Sequence, residues 1–257
     1  MNYQEFKNRL FAEAEEGYRD FVLKGTITER PMLGVRIPKC RKIAKEVFDN
    51  FEGGAELFLK NDPVSFEEVM IRGMVIAKLP YEEMVEKMYD FIALMDNWGV
   101  CDCFCASMRK NIERNRDRFL NEIDKMLKSL DEYQARVAYV CLLDCYVVEE
   151  YLAVVFDRID EVAEYLSDGP GEMSVERTKG ETVGRRTKKV MAWDAYYVKM
   201  AIAWLISVCF VKFPEETMLW FERVNLPKWT YNKAISKTCE SFRVGKDLKK
   251  ELMNMKK

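Results

Sequence analysis

Residues 65–102 read SFEEVMIRGMVIAKLPYEEMVEKMYDFIALMDNWGVCD, and the fold is decided there. Ser65 followed three residues later by Glu68 has the Ser-x-x-Glu form of a capping box, in which each side chain satisfies an orphan backbone N–H of the first helical turn. Behind it Val69, Met70, Met74, Val75, Ile76 and Leu79 recur at helical spacing, and Pro80 stops the run because its ring clashes with a continuing helix. Tyr81 to Met95 carries Met84, Val85, Met88, Tyr89, Ile92 and Met95 as the apolar side of a second helix. Asn97 is placed to cap a third, beginning at Trp98. On that helix a spacing of four puts Trp98 and Asp102 on one face, one turn apart, so that an aromatic plane and a carboxylate share a small space. Taken alone, the pair reads first as structure: a packed Trp and an Asp that complements the helix dipole.

The same alternation runs outward in both directions. Towards the N-terminus, Phe6, Leu10, Phe11, Ala14, Tyr18, Phe21 and Val22 predict one amphipathic helix over Tyr3 to Leu23. Pro31, Gly34 and Pro38 punctuate the connection that follows, and Pro38 suits the first turn of a helix through Ile43, Ala44, Val47 and Phe48. Gly53-Gly54 ends it, and a short helix to about Lys60 comes next. Beyond Trp98 to Lys110 lies a basic turn with Arg114, Arg116 and Arg118, then helices from about Asp117 to Leu127, over Ala135 to Val148 after Asp131-Glu132, and over Glu150 to Leu166. Ser167 to Lys189, with Gly169, Pro170, Gly171, Gly180 and Gly184 among six basic residues, reads as an inserted, flexible basic loop. Helices resume over Trp193 to Phe213, Pro214 to Val224 and Thr230 to Phe242, with a final turn or two from Lys246. About a dozen helices with short breaks, and no persuasive period-two run, predict an all-α fold: a curved solenoid of HEAT-like antiparallel helix pairs forming a single domain over 1–257.

Composition narrows the chemistry. The 257 residues are 49% hydrophobic and 12% aromatic, enough for a folded core. With 41 basic against 43 acidic residues the formal charge is -2, so any nucleic-acid surface must arise from local segregation. Histidine is absent, which removes Ser-His-Asp and Cys-His nucleophiles and every His-ligated metal site, and leaves acid–base work to carboxylates, Lys, Tyr or Cys. No glycine-rich phosphate loop is present. The N-terminus has no apolar signal-peptide core and no stretch is apolar enough to span a bilayer, so the eight cysteines are expected in a reducing cytoplasm. Cys101, Cys103 and Cys105 do not converge on one ion, since on a helix Cys103 points away from the other two. Cys141 and Cys145, in an apolar helix, read as buried structural thiols. No metal or cofactor is expected.

Basic residues concentrate at Arg36 to Lys45, Arg109 to Arg118, Arg177 to Lys189 and Lys228 to Lys250, while acids crowd at Glu13 to Glu16, Glu82-Glu83 and Asp157 to Glu164. In a solenoid that segregation gives a basic concave face able to grip phosphates; the alternative is a set of ordinary solvated helix faces. Arg136 stands among Val137, Ala138, Tyr139, Val140, Leu142 and Leu143, where a guanidinium needs a partner or an anionic ligand. A structural ion pair, with Asp102 as one candidate, is the alternative.

At these residues the chain resembles the AlkD-like family of DNA alkylation repair proteins, which are HEAT-like-repeat DNA glycosylases. The resemblance is carried by Leu33-Gly34-Val35-Arg36-Ile37-Pro38 with the basic helix Arg41-Lys42-Ile43-Ala44-Lys45, by Trp98 and Asp102, and by Arg136-Val137-Ala138. The block from Tyr196 to Leu205, Phe210 to Pro214, and Asn232-Lys233-Ala234-Ile235 is also similar. The resemblance implies excision of cationic alkylated purines, of the 3-methyladenine and 7-methylguanine type, from duplex DNA. It also implies that Trp98 packs against the damaged nucleotide's sugar and backbone, Asp102 is the catalytic carboxylate and Arg136 holds a nearby phosphate. An alkylated purine already carries positive charge, so it departs without a general acid, and a carboxylate stabilises the oxocarbenium-like sugar left behind. Arg36, Lys39, Arg41, Lys42, Lys45, Arg109, Lys110, Arg185, Arg186, Lys188 and Lys233 are the residues expected to meet DNA. The expectation is therefore a cytoplasmic, monomeric, cofactor-independent DNA glycosylase in base excision repair, partnered by damaged duplex DNA and by no membrane. Two alternatives are a non-catalytic binder of damaged or branched DNA and a helical-repeat scaffold for a protein partner.

Overall fold

A computed structural model describes residues 1–129, 131–163, 165–170 and 195–257. Among them the chain forms fourteen α-helices, one 3-10 turn and no strand. None of these helices is long and apolar enough to cross a membrane. Two compact units, Met1–Asn115 and Arg116–Lys257, are described separately.

The first unit contains α1 (Tyr3–Phe11), α2 (Glu16–Leu23), α3 (Ile37–Asn50), α4 (Gly54–Leu59), α5 (Phe66–Ile76), α6 (Tyr81–Ile92) and α7 (Trp98–Glu113). Within it α3 packs on α5 and α5 on α7, while α4 and α6 lie against the helices they follow, the sequential pairing of HEAT-like repeats. The central α5 is buried on nearly every side, with Arg72 its one partly exposed residue. Gly73 permits that packing: a Cβ there would lie 2.5 Å from Phe91 Cζ, where the Phe91 and Phe104 rings meet at 4.6 Å.

Local signals set the helix starts. Ser65 Oγ accepts the Glu68 N–H at 3.2 Å, but the reciprocal half of the predicted capping box does not form. The Glu68 carboxylate turns instead to the Val64 N–H at 2.9 Å and the Tyr3 hydroxyl at 3.1 Å, so it ties α1 to α5. Pro38 falls in the first turn of α3, where its missing N–H costs nothing.

The single helix expected over Tyr3 to Leu23 is two helices with a turn at residues 12–15. The cause is tertiary. The Glu15 N–H is given to the carbonyl of Gly34 at 3.2 Å rather than to a helical neighbour. Gly34 itself has φ 84, and a Cβ there would lie 2.2 Å from the Glu15 carbonyl oxygen. Only glycine lets the two strands of chain approach so closely.

The second unit contains α8 (Arg116–Leu127), α9 (Glu132–Cys145), the 3-10 turn Glu149–Tyr151, α10 (Leu152–Ala163), α11 (Tyr196–Lys212), α12 (Pro214–Arg223), α13 (Lys228–Glu240) and α14 (Lys246–Asn254). Here α11 packs against α9, α12 and α13, and its apolar circumference is that of a core helix. Its Lys199 is fully buried, and the ammonium donates to the Ser167 carbonyl at 2.9 Å, the Ser167 hydroxyl at 3.0 Å and the Gly169 carbonyl at 3.2 Å. These acceptors offset the cost of removing the charge from water. Trp220 of α12 stacks on Phe156 of α10 at 5.0 Å and donates its indole N–H to Asp160 at 2.9 Å. Of the expected loop over Ser167 to Lys189, residues 171–189 lie outside the described residues.

Candidate functional site

The N-terminal end of α7 is built around Asn97, which is fully buried. Its Oδ1 accepts the Val100 N–H at 3.0 Å, and its Nδ2 donates to Asp96 Oδ1 at 2.6 Å. Asp96 Oδ2 in turn accepts the Thr28 hydroxyl at 2.7 Å. The next residue, Trp98, is 39% exposed and donates its indole N–H to the Gly25 carbonyl at 3.0 Å. One edge of the ring is therefore tied to the connection after α2, while much of the side chain stays accessible.

Asp102 follows one turn later on the same helix and is half-buried. An aromatic surface and a carboxylate do share the first turns of α7, as the spacing predicts. Between them, a Cβ at Gly99 would lie 3.2 Å from Asn97 Oδ1 and 3.7 Å from Phe66 Cζ, so a larger residue would press on the cap. Burial pushes the Cys103 thiol up to about 11; the Arg41 guanidinium pulls it down and the Asp102 carboxylate raises it. Arg41 of α3 and Asp102 of α7 thus exert opposite electrostatic effects on the same sulfur.

The basic helix is less bare than the sequence segregation implied. Arg36 is bidentate to Glu15, with Nε 3.0 Å from both oxygens and Nη2 2.9 Å from Oε2. Its guanidinium also lies 4.7 Å from the Tyr18 ring centroid. Lys39 pairs with Glu13 at 3.1 Å, and Lys45 pairs with Asp49 one turn along α3. On α7, Arg109 pairs with Glu113 at 2.8 Å. Acids expected on a separate face are folded onto the basic one, because the turn between α1 and α2 is drawn to Gly34. Arg41, Lys42 and Lys110 are exposed and form no ion pair among the described residues. They are the accessible cations of the predicted set in this unit.

Glu67 is a residue that the sequence reading did not single out. It is 1% exposed, and its carboxylate accepts the N–H groups of Leu33, Gly34 and Val35 at 2.7–3.2 Å. This carboxylate fixes the loop that leads into Arg36 and α3. The sequence signal available was an acid in the first turn of a largely apolar α5, behind Ser65.

Arg136 lies in the second unit, on α9, and is 5% exposed. Its Nη1 donates to the Tyr197 carbonyl at 2.6 Å, and its guanidinium sits 5.8 Å from the Tyr197 ring centroid. Glu132, one turn earlier, accepts the Tyr197 N–H at 3.3 Å. Arg136 and Glu132 together hold the first turn of α11 against α9. Lys233, on α13, lies 5.8 Å from the Trp229 ring centroid and borders a groove of about 480 Å³ with Lys228, Asn232 and Ser236. Arg185, Arg186 and Lys188 fall outside the described residues. Seven of the eight cysteines are buried, Cys101, Cys103 and Cys105 among them.

A family model described as DNA alkylation repair enzyme matches residues 4–166. No curated protein is similar enough to match the chain.

Proposed function

The chain belongs to the DNA alkylation repair enzyme family, and from that premise we propose that it is a DNA N-glycosylase acting on cationic alkylated purines in duplex DNA. The observation that carries the reading is the pair at the start of α7: an accessible Trp98 with its indole edge anchored, and Asp102 one turn behind it. A base alkylated on a ring nitrogen is a cationic leaving group, so the protein needs only to stabilise the positive charge that moves to the sugar. The Asp102 carboxylate supplies that field and orients the water that completes hydrolysis. Trp98 packs against the sugar and backbone of the damaged nucleotide and shields the developing charge from bulk water. Arg136 contacts a backbone phosphate in this reading, and its buried anchorage to Tyr197 supports a preset direction for the guanidinium.

Arg41, Lys42 and Lys110 are the first phosphate contacts in this proposal, because they pair with no carboxylate among the described residues. Arg36, Lys39, Lys45 and Arg109 contribute only after DNA displaces Glu15, Glu13, Asp49 and Glu113. Lys233, Arg185, Arg186 and Lys188 complete the set.

The test is to incubate the protein in excess with methylated duplex DNA at low salt and to quantify released 3-methyladenine and 7-methylguanine. Release above background is expected from the wild type and none from Asp102→Asn, which should still bind the duplex. Arg136→Ala should bind less tightly and with a flatter salt dependence. Absence of any released base from wild-type protein that binds DNA would leave the non-catalytic DNA binder as the correct reading.

A further inference from the structure

A pocket of about 230 Å³ opens where the end of α4 meets α5 and α6, lined among others by Glu56, Lys60, Arg72, Lys87, Asp90 and Phe91. Arg72 Nη1 is committed to the Asn61 carbonyl at 2.8 Å. Its Nε is buried and has no hydrogen-bond partner among the described residues, which leaves a desolvated cationic donor unsatisfied. A partly buried guanidinium left so incompletely satisfied is costly in a folded protein, and an anion held beside it in the pocket would offset the cost of its charge. Lys60 and Lys87 border the same space, and neither they nor Arg72 form an ion pair among the described residues.

The two lining carboxylates do not cancel this charge at contact. Glu56 and Asp90 are exposed and pair with none of the three cations, while Asp62 and Asp90 act on Arg72 only through longer-range attraction. Burial is the stronger influence on Arg72 and lowers its affinity for the proton, which a bound anion would offset. The cationic groups offer only donors: a guanidinium in a fixed plane and two mobile ammonium groups. That set suits an oxygen-rich anion of tetrahedral shape and high charge.

We propose that the Lys60–Arg72–Lys87 pocket is a binding site for a phosphate group, separate from the Trp98 and Asp102 end of α7. The phosphate is either free inorganic phosphate or one belonging to a nucleic-acid backbone. Both sources present the same oxygens to the same donors.

Calorimetric titration of the full chain with inorganic phosphate, against chloride at matched ionic strength, tests the first source. Affinity for an undamaged DNA duplex as a function of salt tests the second. The variant is Lys60→Gln with Lys87→Gln, two side chains that form no hydrogen bond or ion pair among the described residues; Arg72→Gln is the second variant, and thermal unfolding checks that each remains folded. If the phosphate is free, saturable binding is expected and weakens by about tenfold or more in each variant. If it belongs to DNA, free phosphate does not bind, while the double variant loses duplex affinity and its salt slope falls by up to about 0.9, the loss of one phosphate contact. Phosphate binding that the variants leave unchanged, or no change in either arm with the fold intact, overturns the proposal.

Discussion

The buried Glu67 carboxylate accepts the backbone N–H of Gly34 at 2.7 Å. The same oxygen takes the Val35 N–H at 3.1 Å, and Leu33 N–H reaches the other oxygen at 3.0 Å. Three successive donors converge on one acid because Gly34 adopts φ 84, a conformation that turns neighbouring N–H groups to one side. The absence of a Cβ then admits Glu15 to the other side of the loop. One carboxylate on α5 and one glycine therefore set both the entry to the basic helix and the acids that neutralise it.

Glu67→Gln should destabilise the protein by about 2–3 kcal/mol, since the amide offers one acceptor where three donors need satisfying and turns an N–H group towards another N–H. Gly34→Ala should be worse, because it combines backbone strain with a 2.2 Å approach to the Glu15 carbonyl. Urea unfolding midpoints measure both. A Gln variant within about 0.5 kcal/mol of wild type would show that the loop is held by something else.

Gly73→Ala is expected to destabilise although alanine is the better helix former. The gain in helix propensity is at most about 1 kcal/mol, whereas forcing a methyl into a packed core costs about 1–3 kcal/mol. Steric cost wins here because the nearest atom, Phe91 Cζ at 2.5 Å, belongs to a ring already packed against Phe104. A raised melting temperature would mean that the ring pair can move aside.

Where helix signals were local, the sequence was sufficient. Ser65, Pro80 and Asn97 mark the starts of α5, α6 and α7, and Trp98 and Asp102 share a face because a spacing of four allows nothing else on a helix. The division of α1 from α2 was not legible. The apolar periodicity of Phe6 through Val22 runs across the break, and the hydrogen bond that enforces it comes from Gly34, nineteen positions after Glu15. For the same reason the ion pairs Arg36–Glu15 and Lys39–Glu13 were hidden: charge segregation along a chain does not report which turn folds back on which helix. Arg136 needed a partner, as its apolar neighbours required, yet its bonded Tyr197 carbonyl lies sixty-one positions away on another helix.

The thiols give a prediction with a pH sign. Burial pushes Cys103 up to about 11 and Cys209 to about 12, from an ordinary value of 9.0, so both stay protonated at pH 8.5. Cys239 alone is not fully buried. Native protein at that pH should label quickly at one cysteine with a thiol reagent, and at all eight in denaturant. The folded state holds these protons where unfolded thiols release them, so their contribution to stability is complete below about pH 9 and lost as pH rises towards 11. Rapid native labelling of Cys101, Cys103 or Cys105 would contradict the buried arrangement.

The acid turn between α1 and α2 makes a prediction about affinity that runs opposite to a simple loss of function. Arg36 and Lys39 already hold Glu15 and Glu13, so a DNA phosphate that recruits them must displace a carboxylate and return its counterion. Net counterion release per contact is then smaller than for Arg41, which holds no acid among the described residues. Glu13→Gln with Glu15→Gln should therefore tighten duplex binding at low salt and steepen the salt slope by up to about 0.9 for each cation freed. Arg41→Ala should do the reverse, weakening binding and flattening the slope by about 0.9. Fluorescence anisotropy with a labelled duplex from 50 to 200 mM salt, roughly the range over which such slopes are resolved, distinguishes the two. If the double glutamine variant leaves the slope where it was, Arg36 and Lys39 stay with their carboxylates, and α3 meets DNA through Arg41 and Lys42 alone.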